Sequence, residues 1–402
     1  MVTPARTPSK PSRTCLLLTL GIGALFFTPE TDAVVLYATG SITANTTEPT
    51  GPLADSGWQY EGTFGSVLGT PIAPQYFLSA KHVGKAGAVI TFRGQNYTLT
   101  AGNGFGEPTG DLQMWRIAET FPDFAPLYTK RDEVNKPLVV IGRGTQRGSE
   151  VYLNAVQKGW MPGNGDAVQR WGENTAAVIY EYGTDNDLIV SDFDQGGGPN
   201  EAHLTSGDSG GAIFMQDGAA WKLAGINFAV DTVLRNDGPG IYNVLQAPLF
   251  DCRGYFYISS QNPTVYTEIT GTAPVPTSFY ASRISKKLPW IYSITDPEGS
   301  LAGDGVPNLL KYGLGMDVTA PASAATSTPG LEAGFVTLTY TKRTTATDVT
   351  FSIERSSDFN TWTPATATNT VLSTVGTLQT IKAKVALNNE PSLYLRLRVT
   401  RP

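Results

Sequence analysis

An all-β chain is predicted by three observations. Val, Ile, Thr, Tyr and Phe recur in short runs divided by turn residues, as in Ala88–Phe92, Pro137–Ile141 and Ala177–Tyr180. Glycine is abundant, with 43 of 402 residues, while charged residues make up only 16%. No long stretch repeats its apolar residues every 3.6 positions. Strand-length apolar runs broken by Gly and Pro read as a barrel or sandwich, where each strand is half or fully buried.

Taken in order, the N-terminus carries Arg6, Lys10 and Arg13 ahead of an apolar run from Cys15 to Phe27. A positive start followed by a short apolar stretch has the form of a secretory signal. Thr31-Asp32-Ala33 offers the cleavage site, so residues 1–33 are expected to be removed and the mature chain to start at Val34. An uncleaved anchor is the alternative, but no strong basic flank follows to stop transfer. The expectation is a secreted protein, extracellular or in the cell envelope, with no membrane contact after signal removal. A net charge of −6 argues against nucleic acid as a partner.

The chemistry-bearing residues lie between 78 and 211. Only two histidines occur, His82 in Leu78-Ser79-Ala80-Lys81-His82-Val83 and His203. Both precede Gly207-Asp208-Ser209-Gly210-Gly211. A G-x-S-x-G nucleophile elbow needs a histidine after the serine, and none follows Ser209. The order His, Asp, Ser stays open. A serine hydroxyl needs a neighbouring base to become a good nucleophile, and glycines permit the sharp turn around it. A simple strand-joining turn uses the same residues. For the carboxylate, Asp111 heads the largely apolar run Leu112–Ile117, whereas Asp123, Asp132 and Asp166 begin no such run. Such a residue can be buried beside an imidazole and hold its tautomer. The competing reading is a solvated Asp in the turn Pro108–Asp111.

The His82 segment is similar to the Leu-Thr-Ala-Ala-His motif of trypsin-like (chymotrypsin-fold) serine proteases, and the 207–211 run is that family's nucleophile motif unaltered. The strand after Asp111 resembles the family's Asp-Ile-Ala-Leu-Leu strand. Leu223–Ile226 and Pro239–Val244 resemble the strand after the nucleophile and the Pro-Gly-Val-Tyr segment. The resemblance implies two antiparallel six-stranded β-barrels with His82 and Asp111 from the first and Ser209 from the second. It implies catalytic His82, Asp111 and Ser209, an oxyanion hole from the N–H groups of Gly207 and Ser209, and Asp208 as a loop-holding carboxylate. It also implies a specificity pocket of His203, Asn227, Phe228, Ala229 and Gly240, with His203 at the floor. His203 as a surface or satisfied residue is the alternative. The substrate is then a protein or peptide, and neither cofactor nor metal is required. Val34-Val35 resembles the family's freed apolar N-terminus, whose ammonium would pair with Asp208; a strand packed on the barrel, with Asp208 bonded to backbone groups, is the other reading.

The departure from the animal members is in the cysteines. Only Cys15 and Cys252 exist, so a mature chain holds no internal disulfide, and the match points to a bacterial secreted type. Cys252 reads as a small buried hydrophobe.

The protease region is expected over residues 34–262, followed by a Thr- and Pro-rich linker at 263–282. Residues 283–330 form an Asp/Gly-rich segment and spacer. There Asp296 to Asp304 has the look of a calcium loop lacking several ligands, or of a turn leading into a short helix at Pro307–Tyr312. Residues 331–402 alternate with period 2 in Phe335–Tyr340, Val349–Glu354 and Tyr394–Val399. They resemble the small C-terminal β-sandwich of many secreted bacterial proteins, including the Ser356–Trp362 motif, with Trp362 as core anchor and contact with cell surface or glycan open. The function is therefore read as a secreted serine endopeptidase. A non-catalytic adhesin or binding protein on the same scaffold is the alternative.

Overall fold

The computed structural model describes residues 34–183, 187–236, 242–261, 264–322, 325–388 and 392–402. The expected signal segment 1–33 and Gly240 lie outside the described residues.

Two closed six-stranded antiparallel barrels form the larger part of the chain. The first comprises β1 (Gly62–Phe64), β2 (Val67–Ala73), β3 (Tyr76–Ala80), β4 (Val89–Phe92), β5 (Gln95–Gly106) and β6 (Leu112–Ile117), in the order β1-β2-β3-β6-β5-β4. The second comprises β7 (Pro137–Gly142), β8 (Arg170–Glu181), β9 (Asp187–Asp192), β10 (Ala212–Asp217), β11 (Ala220–Val230) and β12 (Ser278–Arg283), in the order β8-β9-β12-β11-β10-β7.

The continuous apolar runs are explained by strands buried on both faces. Along β7, Leu138 and Val140 enter the second barrel's core, while Val139 and Ile141 enter a second cluster outside it. Along β10, Ile213 and Met215 point one way, and Ala212 and Phe214 the other. That outer cluster joins the two barrels through Leu68, Leu78, Leu112 and Met114. It extends to α1 (Ile284–Thr295) through Trp290 and Ile291 and to α2 (Asn308–Leu314) through Leu309 and Tyr312. Burying a side chain such as Leu78, which is fully inaccessible, contributes roughly 1.5–3 kcal/mol.

Two expected boundaries change. The segment 263–282 is no free linker: it holds the strand Thr264–Glu268 and most of β12, which closes the second barrel between β9 and β11. The domain therefore runs past 262 into α1. Residues 231–277 form an excursion between β11 and β12 that carries its own four-stranded sheet, made of Tyr242–Leu245, Val233–Asn236, Phe256–Gln261 and Thr264–Glu268. Its core of Val233, Leu245, Leu249 and Tyr255 packs on Val151 of the hairpin Arg147–Leu153/Val156–Pro162. A buried Lys158–Asp251 ion pair at 2.8 Å joins the same two pieces. Cys252 is buried in this core, where desolvation pushes its thiol up to about 12.

Nor is 283–330 a loose spacer. The Asp/Gly-rich turn folds onto α2, and the buried Lys311 ammonium sits 2.7 Å from Asp304 and donates to the Ala320 carbonyl at 2.9 Å. A protein cation thus faces that carboxylate. C-terminal to it, a four-stranded sheet (Thr328–Glu332, Phe335–Arg343, Leu378–Ala386, Thr368–Val375) faces a three-stranded one (Thr350–Ser356, Thr363–Pro364, Tyr394–Thr400). Leu338, Tyr340, Ile353 and Ile381 lie between them. Trp362 is not in that core. It is half-buried, with Arg396 4.3 Å above its ring. The Ser356–Trp362 motif is a turn, in which Asp358 accepts from Ser356 Oγ and from the N–H groups of Asn360 and Thr361. This module is fastened to the barrels: Arg401 donates to the carbonyl and hydroxyl of Ser293 on α1 at 2.6 and 2.8 Å and pairs with Asp348.

Candidate active site

Strand register brings the first two site residues together. β3 and β6 are antiparallel neighbours with Ala80 opposite Leu112, so the residue leaving β3 and the residue entering β6 must be adjacent. The Lys81 N–H donates to the Asp111 carbonyl at 2.8 Å. One residue on, in the 3₁₀ turn Lys81–Val83, the His82 N–H donates to Asp111 Oδ1 at 2.9 Å and His82 Nδ1 lies 2.6 Å from Oδ2. The carboxylate is held at two points, and its side chain is 13% exposed against 43% for the imidazole.

Ser209 arrives from the other barrel, on the turn preceding β10. Its Oγ lies 2.8 Å from His82 Nε2. Gly210 makes the approach possible: φ is +86°, and a Cβ there would stand 2.4 Å from Ser79 Oγ and 2.7 Å from the Leu68 carbonyl. Only a residue without a Cβ lets this turn lie on β2 and β3. Among the described residues the N–H groups of Gly207 and Ser209 donate to no protein acceptor, so two donors stay available beside the Oγ.

Asp208 points away from that opening and is 1% exposed. Its Oδ1 accepts from the Gly144 N–H at 2.6 Å, and its Oδ2 from the Thr205 N–H at 2.8 Å and hydroxyl at 3.2 Å. The Val34 N–H donates to the same carboxyl. Desolvation nonetheless pushes it up to about 7, with these hydrogen bonds and the charge of Arg170 lowering it only in part. Val35–Leu36 continues as a short antiparallel pair with Ala202–His203, so the N-terminal segment is a packed strand that ends on Asp208.

The pocket residues divide. Phe228 and Ala229 are half-buried on β11, and the Phe228 ring stands edge-on to His82 at 6.0 Å. Asn227 is not a lining residue. It is fully buried, and its Nδ2 donates to the carbonyls of Ile141 and Asp208 at 2.9 and 3.1 Å, while its own carbonyl receives the Gly210 N–H. It braces the serine turn. His203 is fully buried too, between the rings of Phe193 and Phe279, with Nδ1 2.6 Å from the Leu204 carbonyl. Desolvation lowers its pKa to about 4, which keeps the imidazole neutral. It is no open pocket floor.

Pro239 and Gly240 of the expected wall lie outside the described residues, and the strand beside this end of β11 is β12. Asn227, Ala229 and Val230 pair with Ala281, Tyr280 and Phe279. Sequence reasoning missed Ser278 and Tyr280, whose groups converge on Asp231 and Asp192. Tyr280 Oη donates to Asp231 at 2.6 Å, the Ser278 N–H donates to it at 2.9 Å, and Ser278 Oγ donates to Asp192 at 2.8 Å. Burial pushes the Asp231 carboxyl up to about 6. A cleft of about 740 Å³ lined by Ile294, Leu309, Arg398 and Arg401 lies elsewhere, between the helices and the C-terminal module, and no member of the His82–Asp111–Ser209 set lines it. Among the described residues no three His, Cys, Asp or Glu side chains cluster as metal ligands, and no helix is long and apolar enough to cross a membrane.

Residues 52–248 match the family model Trypsin. No curated protein matches the chain in sequence. Among solved structures, Kallikrein-related peptidase 10 is similar at 15% identity and a TM-score of 0.33, covering 61% of this chain and 99% of its own. The inactive form of Rv3671c from M. tuberculosis H37Rv is similar at 14% identity and 0.31, covering 53% and 91%. The secreted serine protease VesC from Vibrio cholerae is similar at 11% and 0.30, covering 93% and 65%. The family match falls on the span that holds both motifs, within two closed six-stranded barrels, and the chain carries a trypsin-family serine protease domain of the chymotrypsin fold.

Proposed function

We propose that this protein is a secreted serine endopeptidase. The observation that carries the reading is the continuous hydrogen-bonded set from Asp111 through His82 to Ser209, at 2.6 and 2.8 Å. Ser209 Oγ attacks the scissile carbonyl as its proton passes to His82 Nε2. Asp111 holds Nδ1–H and stabilises the imidazolium without itself being protonated. The N–H groups of Gly207 and Ser209 receive the developing oxyanion. His82 then protonates the leaving amine, which leaves an acyl-enzyme. A water activated by the same imidazole releases the acid and regenerates Ser209.

Secretion belongs to the same proposal, from the residues 1–33. So does activation by removal of that segment, since the Val34 N–H already faces Asp208. A freed ammonium there would place a cation directly on the buried carboxylate.

Reaction with a fluorophosphonate probe tests the reading. The wild-type protein should label and cleave a peptide library. Ser209→Ala should not label, and Ser209→Ala and His82→Ala should each lower turnover on the order of 10⁴-fold or more, because members of such a set act as a unit. Folded wild type that neither labels nor cleaves would favour the binding-protein alternative.

A further inference from the structure

The turn carrying Asp111 is gripped from behind by a buried cation on α1. Lys287 is 3% exposed, and its Nζ lies 3.0 Å from Glu107 Oε1, itself 6% exposed, and donates to Thr109 Oγ1 at 2.8 Å. Glu107 spans the turn in both directions. Its carboxylate accepts from the Thr109 N–H at 3.0 Å and from the Thr109 hydroxyl at 3.0 Å, and its own N–H donates to the Leu112 carbonyl at 2.8 Å. Its carbonyl takes Lys81 Nζ at 2.8 Å, one residue before His82. Residues 107–112 therefore form a closed frame around Asp111, tied on one side to the His82 turn and on the other to α1.

We infer that Lys287 is a positioning residue for the Asp111–His82 pair, an inference that rests on the endopeptidase reading above. Lys287 grips Glu107 and Thr109, which lie in the turn leading to Asp111. It acts by holding Glu107 and Thr109, which fix where Asp111 enters β6. Solvent exposure of an ion pair would weaken this grip; here both partners are buried, so the charge of Lys287 is the group that compensates Glu107 and sets its orientation. The link also runs outward. Ser293, on the same helix, is held by Arg401 from the last residues of the C-terminal module, and Tyr312 of α2 shares the core cluster with Trp290. The module and the two helices thus buttress the first barrel, whose Leu68, Leu78, Leu112 and Met114 share that cluster. A role for the module follows: it holds α1, and α1 holds the acid.

The test uses the full chain with Lys287→Met and with the double change Glu107→Gln/Lys287→Met. Rates are expressed per site labelled to completion with fluorophosphonate, so unfolded protein does not count. A misplacement of the order of 1 Å in catalytic geometry costs about 10²-fold. Lys287→Met should lower kcat by about that factor with KM within about twofold, since no substrate contact is removed. It should also broaden the downfield ring-proton resonance of His82 Nδ1–H, which is assigned by its loss in His82→Ala. The double variant removes both buried charges and should regain thermal stability while kcat stays low. Wild-type kcat per labelled site and an unchanged His82 resonance in Lys287→Met, or recovery of kcat along with stability in the double variant, would overturn the inference and leave the endopeptidase reading intact. Failure of the wild type to label would overturn both.

Discussion

Asp208 gives the sharpest quantitative expectation. Its folded-state value is about 7 against an ordinary 3.8, a difference of roughly 3 units. At about 1.36 kcal/mol per unit this makes charging it in the fold cost about 4 kcal/mol. For an acid raised in the folded state, that cost is absent below its unfolded value and fully present above the folded one. A chain in which Val34 is still amide-linked should therefore lose about 4 kcal/mol of stability as pH rises from about 4 to 7, then level off. In a chain beginning at Val34, the α-amine, with an ordinary value of about 8, is protonated across that window. It stands where the Val34 N–H already meets the carboxyl, so ammonium and carboxylate charge together and the loss should largely vanish. Other buried acids, Glu61 and Glu201 at about 8 and Asp231 at about 6, titrate in both forms and cancel in the difference. The assay is urea denaturation from pH 4 to 8 on the two proteins, prepared by scarless cleavage before Val34 or before a short extension, with the fluorophosphonate labelling rate measured in parallel. Parallel stability curves and equal labelling rates would refute the pairing.

Three further outcomes follow from packing. Gly142→Ala would place a Cβ 2.1 Å from Asp208 Oδ1, against β7 backbone that cannot move freely; little soluble, label-reactive protein is expected, and wild-type yield with a wild-type labelling rate would count against that seat. A chain ended after Asn262 lacks β12 and α1 and should show no cooperative unfolding transition by circular dichroism, whereas an intact transition would mean the barrel closes without its sixth strand. Asn227→Ala removes donors to Ile141 and Asp208 and should cost about 1–3 kcal/mol with a fall in kcat, read by denaturation and by single-turnover acylation; unchanged values for both would remove its bracing role.

Legibility followed chain distance. His82, Asp111 and Ser209 were readable because each carries a local motif beside a strand; register joins the first two, and the turn before β10 brings Ser209 Oγ to His82. The all-β class and the paired sandwich sheets were readable from runs and alternation. α1 was not, because it is short, holds Pro289 inside it, and is buried on nearly all sides with Ser285, Lys287 and Ser293 included, so no clean apolar face marks it in the sequence. The burial of Asn227 and His203 was hidden for a different reason: a polar side chain in a strand reads as exposed until the second layer packed on it is known.

The excursion at 231–277 hangs from the second barrel without opening it. Asp231 and Ser278, its two ends, are bonded reciprocally: the Asp231 N–H donates to the Ser278 carbonyl at 2.9 Å, and the Ser278 N–H donates to the Asp231 carboxyl at 2.9 Å. β11 and β12 therefore meet at a closed neck whatever hangs from it. Closing a longer loop costs only a slowly growing entropy, about 0.6 kcal/mol per doubling, and here the lobe's own core and the Lys158–Asp251 pair offset it. The barrel thus closes through β12 although the lobe separates it in sequence from β11. The family match ends at 248, inside the lobe and short of β12.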